Sequence, residues 1–255
     1  MRSRYENRVS VSSNSQSVEQ PQSSRAKYDH AHWEKQRGFL RFLLRTLAFT
    51  MLVKLETVEG LENIPERGPA VLLMNHIAFV DPIVVLHVVP RNIVPMAKIE
   101  VYNYPVIGIF PRLWGVIPVR RAEVDRRAVQ SALEVLHARE IVLVAPEGTR
   151  NPQLQKGKEG MAYLASRSGA PIVPVAIFGT RGFPALRSSK RWREPGACLK
   201  FGRPFYYRPE LRRAGREQLR QMADEAMFTL AAMLPPQQRG VYSDLSGATQ
   251  ETIHW

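Results

Sequence analysis

From residue 69 onward the apolar residues arrive in short unbroken runs: PAVLLM (Pro69–Met74), NIVPMA (Asn92–Ala97), GVIPV (Gly115–Val119), EIVLVA (Glu140–Ala145) and PIVPVAIF (Pro171–Phe178). None alternates apolar with polar, so each predicts a strand covered on both faces, as in parallel or mixed sheets. Between them, Pro82–Val89, part of Tyr102–Trp114, Glu123–Ala138 and Lys158–Ser168 have the spacing or length of helices. Ala197–Phe201 adds an edge strand and Arg212–Met233 a final amphipathic helix. Strands and helices in alternation predict an α/β fold: a mixed, largely parallel sheet covered by helices. No internal repeat is visible.

The first part of the chain is patterned differently. Residues 1–28 are rich in Ser, Gln, Asn and Arg and have too little apolar surface to fold, which predicts a disordered polar tail. Trp33–Val58 is densely apolar, yet Arg37, Arg41 and Arg45 recur every four residues and line one helical stripe, with Phe39, Phe42 and Phe49 among the apolar remainder. A transmembrane helix needs about 20 predominantly apolar residues, and the arginines divide this run into pieces that are too short. Two readings fit: a helix lying in the lipid headgroup region with its cations toward anionic lipid, or a helix packed on the protein's own core. The division is then a tail (1–28), an N-terminal amphipathic helical segment (29–58), one domain (59–234) and a C-terminal tail (235–255).

Charge narrows the partners. The formal net charge is +13 in 255 residues. Arg181–Arg220 holds twelve Lys/Arg against three acidic residues, and Met1–Arg45 nine against four. A near-neutral core with basic flanks favours an anionic partner: a phospholipid surface, an acidic carrier or substrate, or nucleic acid. Nucleic acid is disfavoured, because the cations lack interleaved aromatics and a reading motif. The single cysteine, Cys198, excludes an intrachain disulfide and a cysteine-rich metal site. His30 and His32 have no further ligands nearby. With no signal peptide ahead of the first apolar run, the expected location is the cytoplasmic face of the cell membrane.

The candidate chemistry lies where strands end, the usual ligand position in α/β sheets. Asn75 and His76 follow one strand and Pro146–Arg150 (PEGTR) follows another. Asp81, before Pro82, reads alone as a helix N-cap. Together with His76 it also fits an acid that orients an imidazole, leaving the other ring nitrogen to take a proton from a hydroxyl. The serine-hydrolase, P-loop, dinucleotide and zinc-protease motifs are missing, which favours direct attack by a bound hydroxyl over a covalent enzyme intermediate. Arg150 suits either a two-pronged phosphate contact or an Arg–Glu surface pair. GVIPVRR delivers Arg120 and Arg121 to a strand end, as an anion site or a solvated terminus.

In order along the chain, these blocks resemble the glycerolipid acyltransferase family of the lysophosphatidic-acid type. Asn75, His76 and Asp81 match N-H-x4-D; Gly115, Ile117, Pro118, Val119 and Arg121 match G-x-I-P-V-x-R; Pro146, Glu147, Gly148, Thr149 and Arg150 match P-E-G-T-R; and Ala170–Val175 (APIVPV) is the fourth block. The resemblance implies that family's fold, and acyl transfer from acyl-CoA or acyl carrier protein to the free hydroxyl of a lysophospholipid. It implies His76 as general base and Asp81 as its orienting partner. Arg121 and Arg150 would hold the acceptor phosphate, with Asn75, Glu147, Gly148 and Thr149 around the acceptor, and no metal or organic cofactor is required. Two departures stand out: Asn151 follows the third block where Ser or Thr is usual, and LQKGKE precedes Gly160 in place of a common Phe-Lys.

Overall fold

A computed structural model describes residues 29–44, 53–105, 108–120 and 125–255. Along these residues run α1 (His30–Leu43), β1 (Leu55–Glu59), β2 (Ala70–Met74), α2 (Asp81–Val88), β3 (Ile93–Lys98), α3 (Ile109–Trp114), β4 (Ile117–Val119), α4 (Arg126–His137) and β5 (Ile141–Val144). They continue with α5 (Gly160–Ser168), β6 (Ile172–Phe178), β7 (Ala197–Phe201), β8 (Tyr206–Tyr207), α6 (Arg216–Met233) and β9 (Ile253–His254).

Among the described residues, seven strands form one sheet in the order β1-β7-β6-β2-β5-β3-β4. Parallel pairing runs from β6 to β4, with Leu72 of β2 opposite both Leu143 and Val173. β7 turns antiparallel to β6, and β1 runs parallel to β7. The fold class is the α/β, mixed and largely parallel sheet expected from the apolar runs. Because side chains alternate between faces, Val71, Leu73, Val142 and Val144 enter one core beneath α4, α5 and α6, while Leu72, Met74, Ile141 and Leu143 enter another beneath α2 and Trp114. All five residues of β2 are buried, which is why their run is unbroken by polar residues.

Helix boundaries follow local chemistry. α4 starts at Arg126, because the Asp125 carboxylate accepts the Arg127 and Ala128 amides at 3.1 Å each. It buries Ala128, Ala132, Val135 and Leu136, one stripe at helical spacing.

Three expectations are corrected. Leu55–Glu59, whose first four residues fall in the expected amphipathic segment, is a strand hydrogen-bonded to β7, so β7 is not the sheet edge. The last residues do not trail away: β9 pairs with β8, and the Glu225 carboxylate of α6 accepts bonds from Thr249, Glu251 and Thr252. Arg37 does not face outward. It is wholly buried, with Nε donating to the Trp114 carbonyl at 2.7 Å and Nη2 to the Gly115 carbonyl at 3.2 Å.

The reason lies in α3. Its last carbonyls have no helical partner, and the guanidinium of α1 satisfies them. Trp33 packs close against Gly115, whose φ of 66° and lack of a Cβ make room for the indole. One side of α1 is thereby committed to the domain, while Phe39 and Phe42 stay 65% and 62% exposed. Arg45 and Phe49 lie outside the described residues.

Removing this clamp strands two buried carbonyls. Arg37→Ala is expected to lower unfolding free energy by about 2 kcal/mol, the scale of hydrogen bonds to a charged group. Urea denaturation followed by tryptophan fluorescence measures it, and an unchanged midpoint would show that α1 docks without the guanidinium.

Candidate active site

β2 ends at Met74, and the next two residues diverge in use. The Asn75 amide is buried: Nδ2 donates to the Ile177 carbonyl and Oδ1 accepts the Ile177 amide, both at 2.8 Å. Its side chain extends the β2–β6 pairing beyond the ladder and ties the two strand ends together.

His76 is held from every side but one. Its amide donates to Glu147 Oε1 at 3.2 Å, and its carbonyl accepts the Asn151 amide at 2.8 Å. Its Nδ1 lies 3.0 Å from Asp81 Oδ2. The side chain remains 20% exposed. A carboxylate facing Nδ1 favours the tautomer that carries its proton there, so Nε2 has a free lone pair.

Asp81 is wholly buried. It is the first residue of α2, but it does not cap that helix: Val80 occupies the cap position without a side-chain bond. The carboxylate instead turns back on the preceding loop. Oδ2 accepts the Ile77 amide at 2.6 Å and the Ala78 amide at 2.7 Å besides facing His76. Oδ1 accepts the Thr180 hydroxyl at 2.5 Å. The N-cap reading fails because the four residues between His76 and Asp81 form a tight loop whose amides lie nearer the carboxylate than those of the helix.

The PEGTR block leaves β5 and crosses to the same strand end. Gly148 has a φ of 70°, which allows the turn. Glu147 is buried and accepts the Gln155 amide at 2.9 Å as well as that of His76. Burial pushes its carboxyl up to about 7; the two amides work against this, and the nearby Asp81 charge adds to it. Glu147 therefore braces the backbone of His76. Thr149 and Arg150 are exposed. Among the described residues Arg150 forms no ion pair, so the surface-pair reading loses support. Arg121 lies outside the described residues.

His76, Thr149 and Arg150 open onto a cavity of about 300 Å3. Its floor is apolar, with Met74, Phe79, Leu86, Met96, Phe110 and Leu143. Sequence reasoning missed two residues here. Lys98, the last residue of β3, lines the cavity and pairs with Glu100 at 3.0 Å. Thr180 stands two residues beyond β6. Lys98 closes a strand and Thr180 follows one, which was the available signal, but neither belongs to a block with a known spelling. A free imidazole nitrogen beside an apolar cavity with cations at its mouth can take a proton from an alcohol whose molecule also carries an anion and a hydrocarbon chain.

The part of the chain that builds most of this site is similar to known proteins. The acyltransferase family model matches residues 56–178. A 1-acyl-sn-glycerol-3-phosphate acyltransferase of Borreliella burgdorferi is 31% identical over 130 residues, covering 49% of this chain and 52% of that protein. The mouse 1-acyl-sn-glycerol-3-phosphate acyltransferase alpha is 30% identical over 164 residues, 62% of this chain and 57% of the relative. The chain thus spans somewhat over half the length of these two curated relatives. The crystal structure of the 1-acyl-sn-glycerophosphate acyltransferase PlsC from Thermotoga maritima superposes with a TM-score of 0.50 at 26% identity, covering 76% of this chain and 75% of that one. Over residues 56–178, which hold the first six strands and the strand-end loops of the site, the chain is similar to the acyltransferase family.

Proposed function

We propose that this protein transfers an acyl chain from a thioester, acyl-CoA or acyl carrier protein, to the free hydroxyl of 1-acylglycerol-3-phosphate, giving phosphatidic acid. The observation that carries this reading is His76 itself: Nδ1 against a buried carboxylate, backbone tied to the PEGTR loop, and the ring at the rim of an apolar cavity. The names of the relatives support the same substrate.

In this reading His76 Nε2 takes the hydroxyl proton as the acceptor oxygen attacks the thioester carbonyl. A C–O bond forms, the tetrahedral intermediate collapses with cleavage of the C–S bond, and the imidazolium returns its proton to the leaving thiolate. Asp81 stabilises the imidazolium between those steps. Arg150 and Lys98 at the cavity mouth suit the acceptor phosphate, and the apolar floor suits an acyl chain. The protein's own residues supply every proton transfer, so no cofactor is invoked.

The same proposal sets the protein on the cytoplasmic face of an anionic membrane. Its support is the net charge of +13 and the exposed Phe39 and Phe42 of α1. Among the described residues no helix is long and apolar enough to cross a membrane. A second basic element, the loop between β6 and β7, exposes Leu186 among Arg181, Arg187, Lys190 and Arg193.

Three outcomes follow. His76→Ala is expected to reduce transfer to lysophosphatidic acid by on the order of 10² to 10⁴, the usual worth of a general base. A radiolabelled panel of acyl-CoA and acyl carrier protein donors against lysophosphatidic acid, glycerol 3-phosphate and lyso-aminolipids measures this. Wild type inert toward lysophosphatidic acid but active on another acceptor would replace the substrate. Phe39→Glu with Phe42→Glu is expected to reduce flotation with phosphatidylglycerol vesicles several-fold; undiminished flotation would remove α1 from the contact.

The third outcome concerns Glu147, whose folded-state carboxyl titrates near 7 against an unfolded value near 4.5. Between those pH values the folded chain keeps a proton that the unfolded chain has lost, so this residue's contribution to stability falls as pH rises. Wild type should lose stability from pH 5 to 7 relative to Glu147→Gln, read from urea midpoints at each pH. Parallel pH slopes in the two proteins would refute the raised value.

A further inference from the structure

Asp81 needs donors for both of its oxygens, because it is wholly buried. Three donors serve Oδ2 and all come from the adjoining residues His76, Ile77 and Ala78. Oδ1 depends on Thr180, which is as fully buried as Asp81 and arrives from 99 residues further along the chain. Thr180 is outside all four sequence blocks that carry the family resemblance, and it does not line the cavity.

Thr180 is itself gripped on both sides. The Arg191 guanidinium donates to the carbonyl of Gly179 and, at 2.6 Å, to that of Arg181, the two residues flanking Thr180. A third bond reaches the Pro195 carbonyl at 2.8 Å, and the guanidinium lies 4.0 Å over the Phe183 ring. A planar cation engaged by three carbonyls and a ring face leaves the backbone around Thr180 little freedom.

We infer that Thr180 is a positioning residue for acyl transfer: its hydroxyl fixes the rotation of the Asp81 carboxylate, which fixes the His76 ring, and Arg191 is the clamp that holds Thr180 in place. This rests on the reading of His76 as general base. Without the hydroxyl, Oδ1 is a buried carboxylate oxygen with no donor. The carboxylate then rotates to share the remaining amides, and Nδ1 follows it. Nε2 swings away from the line of the attacking hydroxyl, and proton transfer is steeply sensitive to such displacement. The cavity floor and the cations at its mouth are untouched, so substrate binding is unaffected.

The test measures kcat and KM separately in the full-length protein, with oleoyl-CoA, or oleoyl-acyl carrier protein where the wild type accepts only that donor, and 1-oleoyl-lysophosphatidic acid. Thr180→Val is expected to lower kcat about tenfold or more, with both KM values within about twofold of wild type. Thr180→Ser, which keeps the hydroxyl, is expected to restore at least half of kcat. Arg191→Met is expected to lower kcat in the same direction without raising KM, and it decides the matter should Thr180→Val fail to fold. A merely structural role would show as Ser no better than Val, or as KM and kcat degraded together. Wild-type kcat in Thr180→Val or, where that variant does not fold, in Arg191→Met, alongside an inactive His76→Ala, would overturn the inference while leaving the base intact. Activity in His76→Ala would instead remove the reading on which it rests.

Discussion

A charge shut away from water has to be surrounded by donors, and the centre of this molecule is organised around one such charge. Asp81 gathers two amides and an imidazole from its own loop and a hydroxyl from the end of β6. Those bonds fix the loop after β2 in one shape and tie it to a strand on the far side of β2. Burying a carboxylate without such partners is costly, and the cost selects a single arrangement of the groups that relieve it. His76 acquires its orientation as a consequence.

The sheet makes this convergence possible. β2 lies between β5 and β6, and all three run parallel, so their carboxyl ends emerge side by side. Asn75 fastens β2 to β6 just past the last ladder bond, and Glu147 and Asn151 fasten the loop after β5 to the backbone of His76. Every one of these ties uses a backbone N–H or C=O that a strand end would otherwise leave unpaired. The polar residues at the strand ends therefore hold the site together, while His76, Thr149, Arg150 and Lys98 face the cavity, with Glu100 and Tyr104 also in its wall.

The two sheet faces serve different ends. α4, α5 and α6 close one face with a continuous apolar core. The other carries α2 and α3 beside the cavity, with α1 clamped on through Arg37. α1 consequently has a committed side and a side that shows Phe39 and Phe42 to the surroundings. Its arginines look equivalent in spacing, but Arg37 faces the unsatisfied carbonyls of α3.

The sequence by itself determined the order of the central strands and helices from β2 to β7, the burial of those strands on both faces and the blocks that carry His76, Asp81 and PEGTR. Each of these is encoded locally: an apolar run fills a doubly covered strand, and a block keeps its residues within a few positions of one another. What only the tertiary structure decided was which partner each polar group meets. Asp81 looks like a cap until the fold shows the Ile77 and Ala78 amides and the Thr180 hydroxyl closer than the helix it begins. Glu147 and Asn75 carry no local sign of the backbone amides that their oxygens accept. Thr180 and Lys98 carry no local signal beyond following or closing a strand. Hydrogen-bond partners 70 to 100 residues apart, as in His76–Glu147 and Asp81–Thr180, are set by strand order in the sheet, and no window of the chain contains that order.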